Sequence, residues 1–432
     1  MSGTRIISVT AREVYSDRMH AAVQATVSTE NGAVGKALIG DGISVGSHES
    51  PFLYDGGRRF AGRGMTCAAE KIVQVIAPML IGLEADNQAI CDAAILACGK
   101  DSVGANATAA VSTAVLLAGA NARGIPVYKH LGGIRAITLP IPAALAVSGS
   151  NRYGNSVSCG YKPTYCFVAY DFPTYTEASS ALWEVYMNWS DFMQERLSIK
   201  MQPIAGMAIP KGKLRDDYML WEMLAEVIER SGYSGRIGLQ VDMAANCFYD
   251  AKRKIYRGLF SEEDKDRRAM IETVVRMTKE YPFVIIEDPL FEDDFEGFAE
   301  ITRRTDIQIT GDDLIATQPQ RLKKAISMKA GNALRVVTSQ IGTVSECAAT
   351  VQLAQEHHFG VVPCGERGEG LTACDYAVAY HAGSAHEYGM CYSGNRLLQI
   401  EQELGRRARF LGKAGIQGKR FQIASATEED VE

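Results

Sequence analysis

The sequence predicts an α/β protein, with an N-terminal α+β domain followed by a repeating strand–helix segment long enough for a (β/α)8 barrel. Two observations carry this. Over the first third of the chain, strand-like alternation comes first and helical apolar spacing comes after it. From about Leu139 onward the texture changes, and short apolar runs alternate with longer amphipathic stretches. The composition agrees: 47% of the 432 residues are hydrophobic and 22% charged, which excludes disordered, collagenous and low-complexity architectures.

Ile6–Ser8 and Ala21–Ser28 alternate as half-buried strands do. Met65–Leu80 and Ala105–Arg123 carry helical spacing, and Gly124-Ile125-Pro126 stops the second helix. The uncharged stretch from Ser102 to Ala122 is interrupted by Gly104, Asn106, Thr108, Ser112, Thr113, Gly119 and Asn121, and so reads as a buried helix of a soluble domain. In the second segment the runs are Gly238–Asp242, Phe283–Glu287, Ile307–Asp312, Ala333–Val337 and Gly360–Val362. Helices are expected at about Glu262–Lys279 and Phe295–Arg303 between them. A doubly wound open sheet is the rival arrangement, and no GxGxxG after an early strand supports it. The boundary is expected near residue 135, giving domains 1–135 and 136–432.

A net charge of −6 argues against a nucleic-acid partner. The first residues lack the apolar core of a secretory signal. The ten cysteines are scattered without a CxxC pair, as expected of free thiols in a reducing cytoplasm.

Asp242, Glu287 and Asp312 share a position, each being the first acid after an apolar, β-prone run. In a barrel such strand ends open onto one face, so the three carboxylates converge there. Converging carboxylates repel, and oxygen ligands without nearby His or Cys favour Mg2+ over zinc. Removing any one is expected to abolish divalent-cation binding and leave the fold intact by relieving repulsion. The competing reading is that each acid caps a helix or faces water.

These residues lie in segments that resemble a known family. Val241-Asp242-Met243-Ala244-Ala245-Asn246, Ile286-Glu287-Asp288-Pro289-Leu290 and Gly311-Asp312-Asp313-Leu314 resemble the three metal-ligand segments of the enolase family. Ala11-Arg12-Glu13-Val14-Tyr15-Ser16-Asp17 resembles its N-terminal segment, Gly104-Ala105-Asn106-Ala107 its GANA turn, and Gln340-Ile341-Gly342-Thr343 its QIGT. The resemblance implies an α+β capping domain, a modified (β/α)8 barrel, a site with Mg2+ held by Asp242, Glu287 and Asp312, and a homodimer; the sequence itself is expected to have a cytoplasmic location and no membrane partner.

The same alignment places substitutions at the residues that move protons. The family's base lysine precedes QIGT, and Val337 stands there; the nearby Arg335 stays protonated and is a poor base. Thr164, in Tyr161-Lys162-Pro163-Thr164-Tyr165-Cys166, falls nearest the general-acid glutamate. The acidic loop reads Lys211-Gly212-Lys213, without a glutamate. The His-Arg-Ser-Gly-Glu segment becomes Cys364-Gly365-Glu366-Arg367-Gly368-Glu369, with Arg367 in the anion-binding role. The last-strand lysine becomes His386, whose ordinary pKa near neutrality suits proton transfer. Glu366 is a second candidate catalytic residue. The lid loop reads Asp41-Gly42-Ile43-Ser44-Val45-Gly46, with Ser44 and His48 as candidate substrate contacts and Asp41 in place of a serine that helps hold a second magnesium.

The expected function is therefore a Mg2+-dependent lyase or transferase. It works through a metal-stabilised enolate of a small phosphorylated or phosphonylated carboxylate, with altered acid and base residues. Carboxyphosphonoenolpyruvate synthase of phosphonate biosynthesis is a precedent for such a change within the family. The alternatives are an ordinary phosphopyruvate hydratase and a non-catalytic binding protein.

Overall fold

Strands β1 (Ile6–Tyr15), β2 (Ala21–Thr29) and β3 (Val34–Gly40) form an antiparallel sheet in chain order. The computed structural model describes residues 3–150, 160–199, 207–365, 367–386 and 389–422. One face of this sheet packs on helix α2 (Ala105–Arg123), which follows α1 (Gln88–Ala97). Small residues let α2 approach closely: its buried face holds Ala107, Ala110, Ala114 and Ala118. Gly124 ends it in the left-handed conformation. The helix expected at Met65–Leu80 is present from Thr66 but widens into a π-turn at Ile72–Ile76. Pro78 follows that turn and has no N–H for the regular ladder.

The second sheet contains β4 (Ala143–Ser148), β5 (Thr164–Ala169), β6 (Ile237–Asp242), β7 (Phe283–Glu287), β8 (Gln308–Gly311), β9 (Ala333–Val336) and β10 (Gly360–Pro363). They lie in the order β10–β9–β8–β7–β6–β5–β4, with the two-residue strand Met207–Ala208 beyond β4. From β6 to β10 every neighbour is parallel. At Gly383–His386 the chain returns to the start of this sheet, where Ser384 bridges Ile141 in parallel and the Ile141 N–H donates to the Gly383 carbonyl at 3.0 Å. The sheet therefore curls, and helices lie outside it.

The barrel differs from a regular strand–helix alternation in one respect. Strand β5 runs antiparallel to both β4 and β6. Two helices, α3 (Tyr175–Leu197) and α4 (Asp217–Arg230), then precede β6. An antiparallel strand brings its beginning to the face where parallel strands end, so Thr164 sits beside Asp242.

Outside the sheet run α5 (Arg267–Glu280), α6 (Phe295–Arg304), α7 (Pro319–Met328), α8 (Val344–Glu356), α9 (Leu371–Ala379) and α10 (Cys391–Leu404). Helix α5 starts five residues later than its spacing suggests. Lys265–Asp266 pairs instead with Ile255–Tyr256, and the Asp266 side chain caps the helix by accepting from the Ala269 N–H. Asp294 caps α6 and Thr343 caps α8 in the same way. Among the described residues no single helix is long and apolar enough to cross a membrane, and the nine described cysteines are free thiols.

Gly35 on β3 marks the closest approach of sheet and helix. A Cβ there would collide with the Ala114 carbonyl and the Ala118 backbone nitrogen. Gly35→Ala should lower stability by about 1–3 kcal/mol in urea unfolding, because backbone has no rotamer with which to yield. Unchanged stability would show that α2 does not sit this close.

Candidate active site at the barrel mouth

Register brings the site together. Thr164, Asp242 and Glu287 lie side by side on β5, β6 and β7, and Glu287 is level with Thr310, two residues before Asp312. The three acids expected to converge do so: Asp242, Glu287 and Asp312 line one cavity with Lys162, Arg335, Val337, Cys364, Arg367 and the lid residues Gly42–Ser44. That cavity is small, about 20 Å³, the space of roughly one water molecule. A neighbouring cavity of about 530 Å³ shares Arg18, Ile43 and Lys162 with it and is also lined by Thr164, Leu371 and His386.

The acids do not meet as bare carboxylates. The Lys162 ammonium donates to Asp242 Oδ2, while Asp242 Oδ1 accepts from the Ala244 N–H at 3.0 Å. Arg335 reaches across β8 and grips both oxygens of Glu287, its Nε lying 3.0 Å from Oε1. Arg335 and Glu287 are each only 1% exposed. Asp312 has an amide partner instead: Gln340 Nε2 donates to its Oδ1 at 2.6 Å, and Thr317 Oγ1 fixes Gln340 through its Oε1, also at 2.6 Å.

Behind Asp312 lie Asp288 and Asp313. Asp288 accepts from the backbone N–H groups of Asp312 at 3.0 Å and Asp313 at 2.7 Å. Burial, followed by the nearby Asp312 carboxylate, pushes Asp288 up to about 8. Burial also raises Asp312 and Asp313.

The other candidate residues fall around this centre. His386 is buried, and its Nδ1 lies 2.9 Å from the Arg335 guanidinium and 2.8 Å from Gln240 Nε2. A guanidinium only donates, so Nδ1 accepts and the ring proton sits on Nε2. The Nδ1 lone pair of His386 is thus engaged by Arg335 and Gln240. Arg367 is buried but pairs with both carboxylate oxygens of Glu49 and lies 3.5 Å from the Ser44 carbonyl. Although burial pulls its pKa down, Glu49 and Asp312 push it up more strongly, so it stays charged. Ser44 lines the small cavity. His48 turns to Asp293 at 2.9 Å on the barrel rim and lines neither cavity. Asp41 accepts from Tyr54 Oη at 2.7 Å and pairs with Arg63. Glu366 lies outside the described residues.

The lid loop is docked on the barrel. Ser47 donates to Glu292 through its N–H at 2.9 Å and its hydroxyl at 2.6 Å, and the Ser50 N–H donates to the Gln340 carbonyl at 2.8 Å.

A dication would suit three hard carboxylates by chemistry, but it does not fit their placement. Both oxygens of Glu287 and one of Asp242 already face buried cations. An ion on the same oxygens would lie beside Arg335 and Lys162, and at an effective permittivity near 20 each pair of unit like charges ~4 Å apart costs about 4 kcal/mol. Among the described residues, the carboxylate oxygens within 4.8 Å of one another belong to Asp288, Asp312 and Asp313. Arg335 and Lys162 are the cavity-lining cations whose pairing the sequence did not bring out. The signal for Arg335 was a charge inside the apolar run Ala333–Val337, on the same strand face as Val337.

Comparison with known proteins matches the chain along most of its length. Residues 6–131 match the enolase N-terminal domain and residues 136–419 the enolase C-terminal TIM barrel domain. A protein of Methanopyrus kandleri named Enolase is 35% identical over 94% of this chain and 97% of its own length. Proteins of the same name from Methanocaldococcus jannaschii and Corynebacterium kroppenstedtii are 34% and 33% identical, over 93% and 95% of this chain and 96% and 98% of their own.

The ion pairs reverse the expectation that removing an acid relieves strain. Glu287→Ala should cost about 3–5 kcal/mol, because it strands a buried guanidinium. Asp312→Ala, which strands only an amide, should cost less, about 1–3 kcal/mol. Urea unfolding of the two variants measures the difference, and equal or opposite effects would contradict the pairing.

Proposed function

The chain belongs to the enolase family, and on that premise we propose that it stabilises the enolate of a small phosphorylated or phosphonylated carboxylate, using proton-transfer residues of its own. The observation that carries this reading is the lining of the small cavity, where three acids face Lys162, Arg335 and Arg367 around an apolar Val337. Buried cations of this kind favour negative charge developing on a substrate carboxylate. Valine transfers no proton, so the α-proton leaves to another group.

In this reading the substrate occupies the larger cavity and turns its carboxylate toward Arg335 and Lys162. His386, with its proton on Nε2, donates a hydrogen bond to the departing side. Glu366 is the proposed base and Arg367 the proposed anion contact, with Ser44 of the lid lining the small cavity. The family generally uses Mg2+, which when bound to Asp242, Glu287 and Asp312 would polarise the carboxylate. Because the donor placement here does not fit it, no step is assigned to the metal. The homodimer implied by the family and the cytoplasmic location expected from the scattered cysteines go with the same proposal.

A second reading is phosphopyruvate hydratase, interconverting 2-phosphoglycerate and phosphoenolpyruvate. It is favoured by the full-length relatives named Enolase. One assay separates the two. General acid–base groups are worth about 10²–10⁴-fold each, so wild-type protein should dehydrate 2-phosphoglycerate at least about 10²-fold more slowly than an enolase assayed alongside. Val337→Lys alone should leave turnover low, because Thr164 and the loop Lys211-Gly212-Lys213 still lack the acid. Wild-type turnover at the rate of that enolase would overturn the primary reading in favour of the second.

A further inference from the structure

We propose that Arg335 and Lys162 take the place of a divalent cation: they neutralise Glu287 and Asp242 and present their remaining N–H groups to a substrate carboxylate, so the site binds its anion without metal. Only the identity of that anion rests on the reading above.

Three observations support this. The first is position. Arg335 and Val337 share a strand face and both line the small cavity, and the register that sets Leu334 level with Gly311 puts Arg335 at the strand ends with the acids. From there its guanidinium covers both oxygens that Glu287 could offer an ion.

The second is charge. Three carboxylates with two paired cations leave one net negative charge, whereas the bare triad would carry three. Asp312, the acid without an ion-pair partner, accepts a hydrogen bond from the Gln340 amide. The drive to recruit a dication is correspondingly small.

The third is an unmet donor. Arg335 Nη1 is buried and has no hydrogen-bond partner among the described residues, while its residue lines the cavity. A buried guanidinium N–H without an acceptor is costly, and a carboxylate oxygen in the cavity would satisfy it in a charge-assisted bond. Lys162 lines both cavities and so stands between the acids and the space large enough for a substrate.

The test is thermal unfolding of the full chain with increasing MgCl2, for wild type and Arg335→Met, after chelator treatment. A ligand that binds only the folded state raises the midpoint as its concentration rises. Wild type should show no saturable rise. Arg335→Met, which frees Glu287, should show one, and in calorimetry should bind Mg2+ at least tenfold more tightly than wild type. A saturable rise in wild type overturns the proposal. So does an Arg335→Met variant that folds but gains nothing from Mg2+, since removing the internal cation would then uncover no metal site. If Arg335→Met fails to fold, the wild-type titration decides alone, with Lys162→Met as the second variant. The readout involves no turnover, so it stands or falls separately from the assigned reaction.

Discussion

A guanidinium buried inside a barrel demands a partner, and Arg335 finds it in Glu287 across the intervening strand. Taking two charges out of water costs several kcal/mol each, and their attraction offsets this only when geometry is good and further hydrogen bonds are made. Here the grip is two-pronged, and His386 Nδ1 accepts a further bond from the same guanidinium. Gln240 completes a polar layer within the barrel, where bulky aliphatic residues are more usual. This layer holds Glu287 in place, fixes the tautomer of His386 and determines which charges the cavity presents.

The rest of the site is arranged around that constraint. Because β5 is antiparallel, the segment before it delivers Lys162 to Asp242 from the mouth, while Arg335 reaches Glu287 from β9, across β8. The N-terminal domain supplies the roof: its lid loop bonds to Glu292 and Gln340, and its Glu49 pairs with Arg367. Nearly every charge around the cavity therefore has an opposite charge or an amide against it. Such a site is stable without a ligand yet keeps donors directed inward, the preorganisation that electrostatic stabilisation of an enolate needs.

Much of this was legible in the chain before folding. The α+β start, the barrel rhythm and the shared position of Asp242, Glu287 and Asp312 all follow from local periodicity, which strands and helices obey residue by residue. Helix α2 spans the residues its spacing indicates, Ala105–Arg123. The reversed strand was harder, because β5 has the same apolar texture whichever way it runs; only the two successive helices α3 and α4 hint at it. The ion pairs were harder still. Arg335 and Glu287 are 48 positions apart and Lys162 and Asp242 are 80 apart, and nothing local says that long side chains meet across a barrel. A charge within the apolar run Ala333–Val337 was the available clue, since an inward-facing arginine must be paired.

The central claim is that protein side chains, and not a dication, neutralise the strand-end acids. Its most direct test is a crystal structure of wild-type protein grown with millimolar Mn2+, examined by anomalous scattering at the manganese edge. The account predicts no anomalous peak among Asp242, Glu287 and Asp312, with Arg335 on Glu287 and Lys162 on Asp242. A full-strength peak bonded to those three carboxylates, with Arg335 and Lys162 turned away, would contradict it.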